Sequence, residues 1–318
     1  MPGQLTQEPA LWRQAVDYVR AQVQGPPLVG TLDITVHFHP DAPVRGRPLL
    51  EHLAGDGLYR SQFETGTGNG GLTAWEGGDR WRWEQRMFGG VYDGAAPDQR
   101  PKYGSLNYRR RDVGGSVRFG SAHFRLKRSE YPRVTFCYPD SSTEPEHFGT
   151  ADSMPLVPMA LEDAPRRGLD VLDDHIEAHI HGPLRIGRHI EALVLDPSYR
   201  GTAVEAAANA LPCPLEWHSG FRLRQEELER HPDYRGRHVV AAGRSMARGG
   251  WLDPRILGEA VREQRFDRQT LKQVWHCVAR FGHDWDTCGS PDGFSAARPE
   301  GREGARPTLD GRDPTEAG

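Results

Sequence analysis

Residues 174–182 read DHIEAHIHG, and the period assigned to this stretch decides the fold. On a β-strand successive side chains point to opposite faces. His175, Glu177, His179 and His181 then share one face, and Ile176, Ala178 and Ile180 share the other. The chain continues as GPLRIGRHIEALVLD, which predicts a turn at Gly182-Pro183 and a second strand. Far upstream, TLDITVHFHP alternates in the same way. Thr35, His37 and His39 face one side, Ile34, Val36 and Phe38 face the other, and Pro40 ends the strand.

Further strands are expected at YGSLNYR, SAHFRLK and RVTFCYP. With the strands above they occupy about 31–38, 103–109, 121–127, 133–138, 174–181 and 189–195, and should form one strongly bent or split antiparallel sheet. Apolar residues at helical spacing predict an amphipathic helix over 9–23, through Leu11, Trp12, Ala15, Val16, Val19 and Val23. Shorter helices are expected at PLLEHLAGDG, DRWRWEQRMF and GTAVEAAANAL, and residues 141–170 read as a connecting loop. From 220 to 283 the pattern turns helical, in QEELERH, RHVVAAGRSMARGG, PRILGEAVREQ and RQTLKQVWHCVARFG. Strands first and helices second make the class α+β. The division is an N-terminal helix (1–28), an α+β domain (29–210), a helical C-terminal region (211–285) and a disordered tail (286–318).

The 318 residues are 36% apolar, with 37 Gly and 25 Pro, which favours loops and short strands over a helical bundle. A net charge of −4 gives no general pull toward nucleic acid or anionic lipid. No run of about 18 apolar residues is present to span a membrane. The cysteines at 137, 213, 277 and 288 form no CxxC pair, so neither a disulfide framework nor a zinc knuckle is expected. The expected location is cytoplasmic, with leaderless secretion as the alternative.

Two strands with alternating histidines could bring several imidazoles and one carboxylate to a single cleft. The plain alternative is that those histidines sit on solvated strand faces. ETGTGNGG (64–71) could cradle a phosphate or hold a flat ring against its backbone N–H groups. In DRWRWEQRMF the two tryptophans differ by two positions, so one of them should pack in the core.

A histidine-bearing strand, a short helix (LLEHLAGDGLY), the segment GLYRSQFETG and a late glutamate strand follow one another in this order. That order resembles the ADP-ribosyltransferase superfamily, of the His-Tyr-Glu type because the first strand holds no arginine. The resemblance implies a split sheet with an NAD cleft. Glu177 falls at the position of the catalytic glutamate, and His175 falls where many members engage the acceptor. His37, inside the strand, is favoured over His39 for the first position, and the middle position falls to Tyr59 or Ser61. By the same resemblance Glu177, His37 and Tyr59 would be catalytic. His39, Ser61, Thr65, Gly66, Gly68 and Asn69 would contact NAD, and His175 and His179 would face the acceptor, an unknown macromolecule or water. The chain, with RSQFETGTGNGG and RPKYGSLN, is also similar to a bacterial family of unknown function.

Two other readings remain open. The histidines of HxH (37–39) and HxExHxH (175–181) could bind a catalytic metal through His37, His39, His179 and His181, with a glutamate as base. DRWRWEQR, NYRRR and the arginine-rich helices could instead grip a partner without catalysis.

Overall fold

The structure is a computed structural model and describes residues 10–66 and 73–285. Its centre is one eight-stranded sheet. In chain order the strands are β1 (Ile34–Phe38), β2 (Lys102–Leu106), β3 (Ala122–Leu126), β4 (Val134–Tyr138), β5 (His147–Thr150), β6 (Ile176–Ile180), β7 (Ile190–Leu195) and β8 (Leu215–Trp217). Their spatial order is β8-β7-β3-β1-β2-β6-β4-β5. Every pair is antiparallel except β7 and β8. All six strands expected from the sequence are present and adjacent to one another. Hydrogen bonding runs through the sheet without a break, so it is not split into two halves.

Period two holds on every central strand and gives the sheet two chemically different faces. One face is apolar. Ile34, Val36, Phe38, Leu106, Phe124, Val134, Phe136, Ile176, Ala178, Ile180 and Leu193 belong to a single core cluster. Three helices cover it: α1 (Leu49–Asp56) through Leu50 and Leu53, α2 (Leu156–Arg167) through Leu156 and Ala160, and α3 (Ala203–Asn209) through Val204 and Ala208. Helix α2 lies where a loop is expected. Its prolines mask it in the sequence, but Pro155 precedes the helix and Pro158 sits in the first turn, where a missing N–H costs little, while Pro165 lies inside the helix, three residues before its Gly168 cap. Leu156, Ala160 and Ala164 then line its buried side.

The other face carries Thr35, His37, Ser105, His123, Thr135, Cys137, His175, Glu177, His179 and His181, all buried. The solvated-face alternative is therefore overturned. Two groups of elements cover this polar face. At one end the helices Leu11–Arg20 and Asp79–Met87, with the turn that follows, pack Ala15, Val19, Met87, Phe88 and Tyr92 against Cys137. At the other end lie the loop at 113–120 and the C-terminal helices Arg237–Met246, Pro254–Arg262 and Arg268–Phe281. Asp253 and Asp267 cap the last two of these helices by accepting from the amides of Ile256 and Thr270. Trp275 joins them to the sheet, donating from Nε1 to Val117 O at 3.0 Å and meeting His39 edge-on. The sheet extends past residue 210, because β8 pairs with β7. No described helix is long and apolar enough to cross a membrane.

Candidate functional site

Strand register aligns Thr35, Ser105, Glu177 and Cys137 across four neighbouring strands. One row further, Tyr103, His179 and Thr135 are aligned. Glu177 is the carboxylate of this polar layer, 8% exposed. Its Oε1 lies 2.9 Å from His179 Nε2 and 3.8 Å from the Cys137 thiol. Burial opposes its ionisation, but the hydrogen bond and charge of His179, the Arg80 guanidinium and the Ser141 hydroxyl outweigh burial. They hold the carboxyl down to about 2.

His179 is positioned from behind. Its Nδ1 lies 3.1 Å from Thr135 Oγ1, that oxygen lies 2.9 Å from His181 Nε2, and His181 Nδ1 lies 2.8 Å from the Tyr92 hydroxyl. Phe88 meets both imidazoles edge-on.

The helix Asp79–Met87 places charges over this layer. Its buried residues are Arg80, Glu84 and Met87, at helical spacing, and both tryptophans are only half-buried. Trp83 packs partly into the cluster around Phe88, and neither tryptophan is a full core residue. Glu84 binds Arg100 Nη1 at 2.7 Å and accepts from the Tyr103 hydroxyl at 3.0 Å. The Arg80 guanidinium stacks 3.9 Å from the Tyr103 ring centroid, and its Nε and Nη1 have no hydrogen-bond partner. His175 is likewise buried with neither ring nitrogen bonded. Phe119 meets it edge-on, and Asp140 lies 4.0 Å away. Buried polar atoms without partners are uncommon in folded proteins and ask for an explanation, such as a ligand.

Burial raises the Glu84 carboxyl to about 7 against the opposing pull of Arg100, Tyr103 and Arg80. The folded state then holds this proton more tightly than the unfolded chain. The stabilising contribution is complete below about pH 4.5 and is lost as pH rises through about 7. Glu84→Gln should remove on the order of 3 kcal/mol of pH dependence between those limits. Denaturant unfolding of both proteins across this range checks it, and identical slopes would contradict it.

The other sequence-predicted residues are dispersed. His37 shares the polar face, but Gly120 O lies 3.2 Å from its Nδ1, and its Nε2 accepts from Ser116 N at 3.3 Å. Burial pushes its imidazole down to about 3. Gly114, at φ +92°, crosses directly over His37 and His123, where a Cβ would collide with both rings. His39 faces Trp275. Tyr59 lies on the opposite, apolar side against Phe38 and Phe124, in a short pairing with Leu184, and burial raises its hydroxyl to about 12. Glu177, His37 and Tyr59 therefore do not line one cleft. Ser61 caps the turn Gln62–Thr65, accepting from Glu64 N and donating to Pro97 O. Thr65 donates to Ser61 O, and Gly66 ends the turn in the left-handed region. Gly68 and Asn69 lie outside the described residues, as does the tail from 286.

Nor do His37, His39, His179 and His181 converge on one point. Among the described residues, the group of three or more ligand-type side chains with donor atoms within 4.8 Å of one another is Cys137, Glu177 and His179. Surface hollows of about 530 Å³ beside Asp170 and Trp285 and about 440 Å³ beside Tyr138 and Arg167 both leave Glu177 outside. Sequence reasoning missed Arg80, Glu84, Tyr103 and Cys137. Arg80 and Glu84 carry a usable signal, an i, i+4 charged pair in register with the buried Met87.

Residues 33–165 and 159–281 match the model of a protein family described as "Protein of unknown function (DUF3626)". Comparison with curated proteins finds no match.

Proposed function

The chain belongs to the DUF3626 family, and we propose that it is an ADP-ribosyltransferase-like enzyme. In this reading it cleaves the nicotinamide–ribose bond of NAD and passes ADP-ribose to a macromolecular acceptor or to water. One observation carries it: an ionised, nearly buried Glu177 shares its layer with two buried nitrogen-bearing side chains, His175 and Arg80, that have unpartnered donor atoms. The order of the histidine strand, GLYRSQFETG and the glutamate strand adds to it.

Loss of nicotinamide leaves positive charge on the ribose carbon. A fixed carboxylate beside that carbon stabilises the charge as it develops, as in glycoside cleavage. Glu177 needs its ionised form for this role, and His179 and Arg80 supply the charge that keeps it ionised. The low local dielectric strengthens the effect. In this reading NAD displaces part of the covering segments, and the unpartnered nitrogens of His175 then meet ribose hydroxyls and Nε and Nη1 of Arg80 a diphosphate oxygen. Phe119, 40% exposed beside His175, offers a ring for stacking that Tyr59 cannot offer from the far face.

The test incubates the purified protein with NAD. Free nicotinamide is followed by chromatography, and labelled ADP-ribose is followed onto lysate proteins. Nicotinamide in molar excess over enzyme is expected, and NAD that stays intact would overturn the reading.

A further inference from the structure

The Cys137–Glu177–His179 cluster has a second chemical capacity that cleavage of NAD does not use. Glu177 and His179 sit two residues apart on β6, and Cys137 on β4 is the direct cross-strand partner of Glu177. Period two therefore aims all three side chains at the same point above the sheet. The donor atoms are separated by 2.9 Å (Glu177 Oε1 to His179 Nε2), 3.7 Å (His179 Nε2 to Cys137 Sγ) and 3.8 Å (Cys137 Sγ to Glu177 Oε1). A tetrahedral zinc ion with bonds of about 2.0–2.3 Å asks for donors about 3.3–3.6 Å apart. Shifts of a few tenths of an ångström would meet that requirement.

We infer that Cys137, Glu177 and His179 form a binding site for a thiophilic divalent ion such as zinc. One thiolate, one imidazole and one carboxylate suit zinc, and three protein ligands leave the fourth position to solvent. The sulfur contacts at 3.7 and 3.8 Å are weak hydrogen bonds, so hydrogen bonding alone gives little reason to hold these three groups together.

The surroundings are built for a metal-bound imidazole. A bound ion replaces the Nε2 proton of His179, and the ring keeps its proton on Nδ1. That proton is donated to Thr135 Oγ1, the Thr135 hydroxyl turns to donate to His181 Nε2, and His181 Nδ1–H donates to the Tyr92 oxygen. Thr135, His181 and Tyr92 keep their proton counts. The Cys137 thiol and the His179 imidazolium each lose one proton to solvent as the sulfur–metal and nitrogen–metal bonds form. Such outer hydrogen bonds fix the tautomer of a metal-bound histidine, and their loss typically weakens metal binding by about 10–100-fold.

The inference stands apart from the NAD reading. If both hold, a bound ion occupies the carboxylate that the sugar needs, and the two uses exclude each other.

The test uses the full-length protein treated with chelator and then titrated with Co²⁺ in the absence of any nucleotide. Its result is therefore independent of the NAD assays. Expected is a near-ultraviolet thiolate-to-cobalt charge-transfer band, with visible bands of tetrahedral strength, saturating at one ion per chain and abolished by Zn²⁺. Cys137→Ser should remove the charge-transfer band. Thr135→Val, which preserves shape, should weaken affinity by about 10–100-fold with the band retained. Circular dichroism confirms that each variant is folded. Absence of the band from the wild-type protein, or a band that persists in Cys137→Ser, would overturn the inference.

Discussion

Glu177→Gln is expected to leave the fold intact and to lower nicotinamide release from NAD by on the order of 10² or more, the scale on which one electrostatic stabiliser of a transition state acts. The amide keeps the size of the carboxylate, and its oxygen can still accept from His179 Nε2 at the observed 2.9 Å. The negative charge beside the ribose is lost, and with it the stabilisation of the developing cation. The effect should fall on kcat rather than on NAD affinity, because the charge matters most once the bond is breaking. Rates measured with matched thermal unfolding curves check this. Full activity in the variant would remove Glu177 from the chemistry.

Trp275→Ala should give one of the largest losses of stability in the chain, about 3–5 kcal/mol. Trp275 is almost fully buried, packs against Phe221 and His39, and donates to Val117 O. Its removal leaves a cavity between the C-terminal helices and the sheet, and takes from Val117 O the shorter of its two hydrogen bonds, the other coming from Gly120 N at 3.2 Å. Val117 belongs to the loop whose Ser116 N and Gly120 O hold His37, so the polar face should loosen as well. Trp275→Phe fills most of the cavity but loses the hydrogen bond, and should cost only about 1–2 kcal/mol. Urea unfolding of the three proteins tests this. A loss below 1 kcal/mol in the alanine variant would mean that the helices are not coupled to the sheet through this residue.

Local alternation made the sheet legible in the sequence. DHIEAHIHG and ITVHFHP keep strict period two, and both histidine faces do fall on one side of one sheet. Long-range pairing was not legible. Tyr59 follows the histidine strand closely in sequence, yet its pairing with Leu184 puts it under the apolar face. Cys137 sits inside VTFCY with no spacing to mark it, and only its register with Glu177 gives it chemical meaning. In DRWRWEQRMF the charges read as a segment that could grip a partner, and nothing local beyond their spacing with Met87 marks Arg80 and Glu84 as buried. Burial of those charges reflects the needs of Tyr103, Arg100 and Glu177, which lie on other elements. Proline density hid the helix Leu156–Arg167, although its apolar period was intact.

NAD bound at the polar face around Glu177 should satisfy the unpartnered nitrogens of Arg80 and His175. Calorimetric titration of NAD into the metal-free protein tests it most directly, alongside Arg80→Met and His175→Ala, each confirmed as folded. One NAD per chain is expected for the wild type, with affinity at least about tenfold weaker in each variant, the cost of roughly one lost charge-assisted or buried hydrogen bond. A wild-type protein that binds no NAD, or variants that bind it as tightly as the wild type, would contradict the account.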